Sequence, residues 1–374
     1  MAVLLAGCAH RPPGAPTASA SPTGFLQRAE FERQLAQRHA VPQGDPARPW
    51  EQAIAPAYVD TAGYARPGNW RLCFAGAGYP SPWQSSGLNT MRAEVALHPR
   101  ITSFTVTDAE GRDDKQRADL ANLLGRGCDA LIVTPTSSTA LVTAVLDACE
   151  RKVPVVVFDQ PVATGCPVSY VHPIGGYAFG ASGAEFLTAH LPRGGRVLAL
   201  RTEPDDVEYE ERWAAAKVVF DSAGATIVGA EYTRGQPDTA RSLVADYAHR
   251  PGGVDAVWLD AGTVAAATVR AFADTGVPVP PISGQDQQDF LALWQSQRLT
   301  AVAPTDPVYA WRTAVIAATD ILAGQRVPRE WVLPQPVLTA DDLPRYLRAG
   351  MPPPFHPSCG CQEMPGFPNG WGGR

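Results

Sequence analysis

Two stretches decide the fold: Gly127-Cys-Asp-Ala-Leu-Ile-Val-Thr-Pro135 and Val153-Pro-Val-Val-Val-Phe-Asp159. Each is a short apolar run that closes on polar residues. A continuous run of valine and isoleucine suits a strand buried on both faces. Between the two, Leu141, Val142, Val145, Leu146 and Cys149 fall at helical spacing, with Ser137 or Ser138 placed to cap that helix. A buried strand, a helix and a second buried strand predict parallel pairing through a right-handed crossover.

The same alternation extends in both directions. Upstream, Arg71–Ala75 and Ile101–Thr107 read as strands, and 114–126 carries Leu120, Leu123 and Leu124 at helical spacing. Downstream, helices are expected at 176–191, 208–223, 238–249, 263–274 and about 287–296. Strands are expected at Arg196–Leu200, Thr226–Ala230, Asp255–Asp260, Pro281–Asp286 and Leu299–Ala303. Two rounds of alternation predict an α/β protein of two doubly wound parallel-sheet lobes. Ligands of such sheets bind beyond the carboxyl ends of the strands. The polar residues at those ends are Thr134–Ser137, Asp159–Gln160, Asp260 and Gln285–Asp286.

At roughly 100–200 residues per domain, a chain of 374 residues predicts two domains. Hydrophobic residues make up 45%, enough for real cores, and charged residues 18%, too few for a disordered polyelectrolyte. Lys+Arg 31 against Asp+Glu 37 leaves −6, without the basic footprint of a nucleic-acid binder. No apolar run is long enough to span a membrane as a helix. The ends differ from the middle. Leu5-Ala6-Gly7-Cys8 resembles a bacterial lipobox, in which Cys8 is lipidated after cleavage. The apolar stretch before it is short and no basic residues precede it, so residues 1–8 read as a truncated lipoprotein signal. Residues 9–22 are a Pro/Ala/Ser tether. Residues 24–40 could form one amphipathic helix, and 351–374 reads as an irregular tail.

The six further cysteines are Cys73, Cys128, Cys149, Cys166, Cys359 and Cys361. An even number is compatible with disulfides in an exported protein. Cys73 and Cys149 also fit buried apolar positions, and a bridge from Cys166 to the tail is one possible pairing.

Motifs for chemistry are absent. No phosphate loop exists, and Gly175–Gly183 lacks the lysine one needs. Gly76-Ala-Gly78 follows a strand, but the third glycine of a dinucleotide fingerprint falls on Ser81, and Pro80 and Pro82 should obstruct a helix start. Gly180-Ala-Ser-Gly183 is not a nucleophile elbow. The histidines are scattered without metal spacing; His98 and His172 read as loop or hinge residues. The run Glu203–Glu211 reads as a solvated face near a helix start. No catalytic residue, metal or cofactor is expected, and no enzymatic activity.

Taken together, Gln116…Leu120…Gly127–Pro135, Ala140-Leu141…Ala148 and Val153–Asp159 resemble the periplasmic sugar-binding proteins of the ribose-binding type. These share the fold of the ligand domain of LacI-type regulators. The resemblance covers about residues 57–350. Tyr58-Val-Asp-Thr61 and Trp331-Val-Leu-Pro-Gln…Leu338-Thr339…Asp342-Leu343 look like a subset serving sugar ABC transporters. It implies a type I periplasmic binding protein, two lobes joined by three hinge crossovers. Lobe one would comprise 65–172 plus 305–334 and lobe two 173–304 plus 335–350, after a tether and N-terminal extension over 9–64. Hinges are expected near His172-Pro173, Pro304-Thr305 and Leu333–Pro336. A regulator would instead carry a basic helix-turn-helix at its N-terminus.

Position by position, the resemblance places ligand contacts on Ser81, Trp83 and Gln84 of the first loop, with Trp83 stacking on a sugar face. Asp159 keeps an acceptor for hydroxyls, while Gln160 replaces the family's arginine. Arg212 matches the arginine of lobe two's first helix, and Asp286 matches an aspartate near the end of that lobe. Asp260 stands one place before the family's Asn-Asp, here Ala261-Gly262, and Thr305 stands at the hinge glutamine. These departures argue against ribose and for another small, uncharged polyhydroxylated ligand. The implied protein is a monomer, lipid-anchored in the periplasm or at the cell surface, passing ligand to an ABC permease; the alternative is a sensor presenting the same fold to a chemoreceptor or histidine kinase.

Overall fold

The computed structural model describes residues 24–374; Cys8 and the tether lie outside the described residues. An N-terminal extension holds α1 (Arg28–Gln37) and the short β1 (Tyr58–Val59). Lobe one runs β2 (Trp70–Gly76), α2 (Pro82–Ala96), β3 (Ile101–Asp108), α3 (Asp113–Gly125), β4 (Ala130–Val133), α4 (Val142–Glu150), β5 (Val155–Phe158) and β6 (Ser169–Pro173). Lobe two follows with α5 (Gly176–His190), β7 (Arg196–Arg201), α6 (Val207–Ser222), β8 (Thr226–Tyr232) and α7 (Pro237–Ala248). It continues through β9 (Ala256–Leu259), α8 (Ala265–Thr275), β10 (Ile282–Ser283), α9 (Gln288–Gln297) and β11 (Ala301–Pro304). The chain then returns to lobe one as α10 (Ala310–Leu322), β12 (Val327–Pro328) and β13 (Glu330–Leu333). It crosses a third time to β14 (Val337–Leu338) and α11 (Leu343–Tyr346).

Each lobe is one six-stranded sheet. Lobe one has the order β13-β6-β5-β4-β2-β3, parallel throughout. Lobe two has the order β14-β11-β10-β9-β7-β8, with β14 alone antiparallel. β4, β5, β9 and β11 are buried along their whole length, as their continuous apolar runs require. The cores follow from that alternation: Phe74, Ile132, Val156 and Phe158 pack beneath α10 in lobe one, and Leu198, Val257, Phe272 and Trp294 fill lobe two.

Several sequence expectations are corrected. β6 and β13 were not expected as strands; they pair with each other in parallel, and the first and third crossovers leave from their ends. α4 starts at Val142, because Ser137 caps a preceding turn by accepting from the Ala140 amide at 3.2 Å. α2 does begin at Pro82. Proline is tolerated at the first helical position, where its missing N–H has no intrahelical partner, and Ser81 with Gln84 closes a capping box around it. His172 is not a loop residue but a buried member of β6, with Nε2 3.0 Å from Glu330. The cysteines pair as Cys73–Cys128, Cys149–Cys166 and Cys359–Cys361. Cys73 and Cys149 are therefore not free apolar residues, and Cys166 finds a neighbour at the end of α4 rather than in the tail.

The tail is irregular but not loose. Residues 351–358 bridge the lobes: the Gln288 and Asp289 amides of lobe two donate to the Phe355 and Pro353 carbonyls at 2.9 and 3.0 Å, while Met351 and Phe355 pack into the core of lobe one. Its later residues lie on lobe one, where Trp371 Nε1 donates to Thr90 at 3.0 Å.

The α5–α6 contact carries the fold into the site. Gly176, Gly180 and Gly183 lie along one side of α5. A Cβ at Gly180 would lie 1.8 Å from the Arg212 carbonyl of α6, and one at Gly176 would lie 3.0 Å from the Glu208 carbonyl. Only glycine allows two helix backbones so close, despite its entropic cost inside a helix. Gly180→Ala is therefore expected to destabilise the protein by about 1–3 kcal/mol through overpacking. The measurement is the urea midpoint, and an unshifted midpoint would show that the contact can relax freely.

Candidate functional site

The carboxyl ends of both parallel sheets meet at a cavity of about 590 Å³ between the lobes. Lobe one supplies the loops after β2, β4 and β5; lobe two supplies the start of α6 and the loops after β9 and β10. Asp306, on the second crossover, sits between them.

Trp83 lines this cavity and also packs edge-on against Trp311, with ring centroids 5.5 Å apart. Its indole N–H donates to the Asp306 carbonyl at 2.8 Å. Ser81 and Gln84 line it too, but their side chains serve the α2 capping box. The loop after β4 is ordered by Gln116, which is fully buried. Gln116 donates to the Thr134 and Ala75 carbonyls and accepts from the Thr136 amide at 2.8 Å.

Asp159 and Gln160 line the cavity from the end of β5. Asp159 holds φ at +70°, an unusual conformation for a residue with a side chain. Among the described residues nothing donates to its carboxylate, whereas its backbone carbonyl accepts from Tyr170 at 3.1 Å. Burial, then the neighbouring Glu208 and Asp306, push its pKa well above the usual carboxylate range.

Arg212 is 3% exposed and reaches across the cleft floor. It donates to the Asp260 carbonyl at 2.7 Å and to Asp306 Oδ2 at 3.1 Å, pairs with Glu208, and lies 4.1 Å from the Phe179 ring centroid. A second buried ion pair, Arg201 with Glu210 at 2.6 Å, anchors the same helix. The expected solvated face over Glu203–Glu211 is corrected: Asp205, Asp206 and Glu208 line the cavity and Glu210 is buried. The run sits at the helix start, where Asp206 caps the Glu208 and Tyr209 amides.

Three expected contacts are placed differently. Asp260 is buried behind the cavity, its carboxylate held by the Thr202 hydroxyl and amide at 2.6 and 2.8 Å. Thr305 is fully buried and donates to the Pro336 carbonyl at 2.7 Å, joining the second and third crossovers. Asp286 is also fully buried; it accepts from the Ser358 amide at 3.0 Å and lies 3.4 Å from His356 Nδ1. The tail has taken its hydrogen bonds, and His356 reaches the cavity beside it. Sequence reasoning missed Asp306, Glu208 and His356. Asp306 stands two residues past the end of β11, so the strand-end rule that singled out Asp159 reaches it only when extended past Thr305. Nothing in the sequence marks His356 as a cavity residue.

Two α/β lobes, three crossovers and a polar cavity at the facing strand ends define a type I periplasmic binding protein. Residues 74–326 match the family model of the periplasmic binding protein domain, and the chain belongs to that family. The ribose import binding protein of Bacillus subtilis strain 168 is 26% identical over 238 residues, 63% of this chain and 77% of that protein. A solute-binding protein of an ABC transporter from Thermobispora bispora superposes with a TM-score of 0.65 at 21% identity, covering 82% of this chain and 97% of that one. The myo-inositol binding protein of Caulobacter superposes at 0.63 with 22% identity, covering 75% and 97%.

The carboxylates fix a dependence on pH. Burial and then Glu208 push Asp306 up to about 7, against the partial relief from Arg212. An unfolded aspartate ionises near about 3.9. Between those values the folded state holds more protons than the unfolded state, so this group costs the ligand-free protein stability as pH rises from about 4 to about 7. Asp306→Asn removes that loss. Melting curves should show the variant gaining on the parent steadily across the window; a constant difference would mean the group titrates normally.

Proposed function

We propose that this chain is the extracytoplasmic solute-binding component of a sugar-type ABC transporter. It is anchored to the membrane through lipid on Cys8, captures a small polyhydroxylated ligand between its lobes as they close, and hands it unchanged to a membrane permease. The observation that carries this reading is the interlobe cavity itself. Hydroxyl-binding groups from both lobes, Asp159 from one and Arg212 with its partners from the other, face a single space that hinge closure would seal. Trp83 offers an apolar face for the C–H side of a ring, and Gln160 and Thr136 offer amide and hydroxyl contacts.

Ribose is disfavoured as the ligand. Gln160 lacks the bidentate fork of an arginine, Ala261 and Gly262 bring no side-chain hydrogen bonds, and Asp286 is held by the tail.

A thermal-shift screen against pentoses, hexoses and polyols should find a stabilising ligand, since a binder raises the melting temperature by mass action. Calorimetry with that ligand should show Asp159→Ala and Arg212→Ala weakened about tenfold or more, as loss of a charged hydrogen bond implies. Unaltered affinity in both would place the site elsewhere. Separately, Cys8→Ser should move the protein from the membrane fraction to the soluble extracytoplasmic fraction; an unchanged distribution would remove the anchor from the proposal.

A further inference from the structure

We infer that the cleft selects a cationic ligand, a small hydroxylated amine such as an amino sugar or amino polyol, over its neutral counterpart. This rests on the reading of the cleft as the ligand site and narrows the ligand class.

The charge inventory is lopsided. Five carboxylates line the cavity, Asp159, Asp205, Asp206, Glu208 and Asp306, against the single guanidinium of Arg212. That guanidinium is already committed. Its Nη atoms serve Glu208, one oxygen of Asp306 and the Asp260 carbonyl, so its charge is already shared among oxygens of the protein, while Nε stays buried without a partner. Asp206 is committed to the helix cap. Asp159 and the second oxygen of Asp306 remain without a donor from the described residues, and Asp306 is 7% exposed. A hydroxyl can donate to such an oxygen but brings no positive charge to favour its ionised form in a cavity that closure will dry. An ammonium donates and neutralises together.

A metal ion is the other way to supply positive charge. Among the described residues no group of three or more histidine, cysteine or acidic side chains is arranged to hold one. The rest of the lining suits an organic cation: Trp83 and Tyr209 line the same space, and aromatic rings attract ammonium groups. Thr136, Ser137 and Gln160 provide the neutral polar contacts that hydroxyls need.

The test is calorimetry on the full chain with matched pairs: glucosamine and glucose, galactosamine and galactose, amino-inositol and myo-inositol, glucamine and sorbitol. The amine should bind at least tenfold tighter in the pair that fits. Asp159→Asn should collapse the preference to within threefold, while a melting curve reports whether the variant is folded. Glu363→Gln, a charge change away from this cavity, should keep the preference. Neutral members binding as tightly as their amines would overturn this inference and leave the polyol reading standing. Silence from every member of every pair, with no hit among neutral sugars and polyols either, would overturn both.

Discussion

Arg212 is charged, almost wholly buried and stacked on Phe179, so its position is stable only while anionic or carbonyl oxygens surround it. The oxygens it finds belong to different parts of the molecule. Asp260 closes β9, Glu208 opens the same helix as Arg212, and Asp306 lies on the crossover back to lobe one. Asp306 in turn receives the indole N–H of Trp83 on its carbonyl. One guanidinium thus ties the floor of lobe two to the crossover and, through the crossover, to the first helix of lobe one. The close α5–α6 packing made possible by Gly180 sets where this guanidinium sits. Site geometry and lobe packing are therefore parts of one arrangement, and breaking either disturbs the other.

The terminal segments add constraint around the hinge. α1 sits on lobe two, with the Gln34 side-chain Oε1 accepting from the Ala178 amide at 3.1 Å and Arg38 paired with Glu185 at 2.8 Å. Residues shortly after it sit on lobe one, where the Ile54 amide donates to the Val332 carbonyl at 2.9 Å and Trp331 Nε1 donates to the Gln52 carbonyl at 2.8 Å. The C-terminal tail likewise bridges the lobes. Beyond the three crossovers, then, two further segments touch both lobes. The proposed closure would have to either preserve these contacts or break several hydrogen bonds at once.

The fold was legible because its signal is local. Buried parallel strands need apolar runs, their helices need a 3.6-residue period, and both survive in the sequence from β2 to β11. β6 and β13 escaped because each carries polar residues: Ser169 and His172 in one, whose burial depends on pairing across the chain, and the exposed Glu330 in the other. The site was legible where strand ends mark it. Asp159 and Gln160 line the cavity from such an end; Trp83 and Arg212 stand on helices, and the family resemblance rather than a strand end points to them. It was not legible where a distant segment intervenes. Asp286 stands at a strand end like Asp159, yet a tail whose composition suggests only irregular chain supplies the Ser358 amide and His356 that occupy it. Disulfide partners were hidden for the same reason, since Cys149 and Cys166 become neighbours only once α4 packs against the loop before β6.

The carboxylate run at the start of α6 shows how context changes the meaning of charge. On an exposed helix, Asp206, Glu208 and Glu211 would simply complement the helix dipole. Here Asp206 and Glu208 line a cavity that also holds Asp159 and Asp306, and burial together with Glu208 pushes Glu211, beside them on α6, up to about 7. Such mutual repulsion is costly to an empty cleft and is relieved by whatever brings in positive charge or compensating donors. An arginine at the position of Gln160 would have cancelled part of it internally. With glutamine there, the cleft lining gains no second guanidinium, and Arg212 alone stands against its carboxylates.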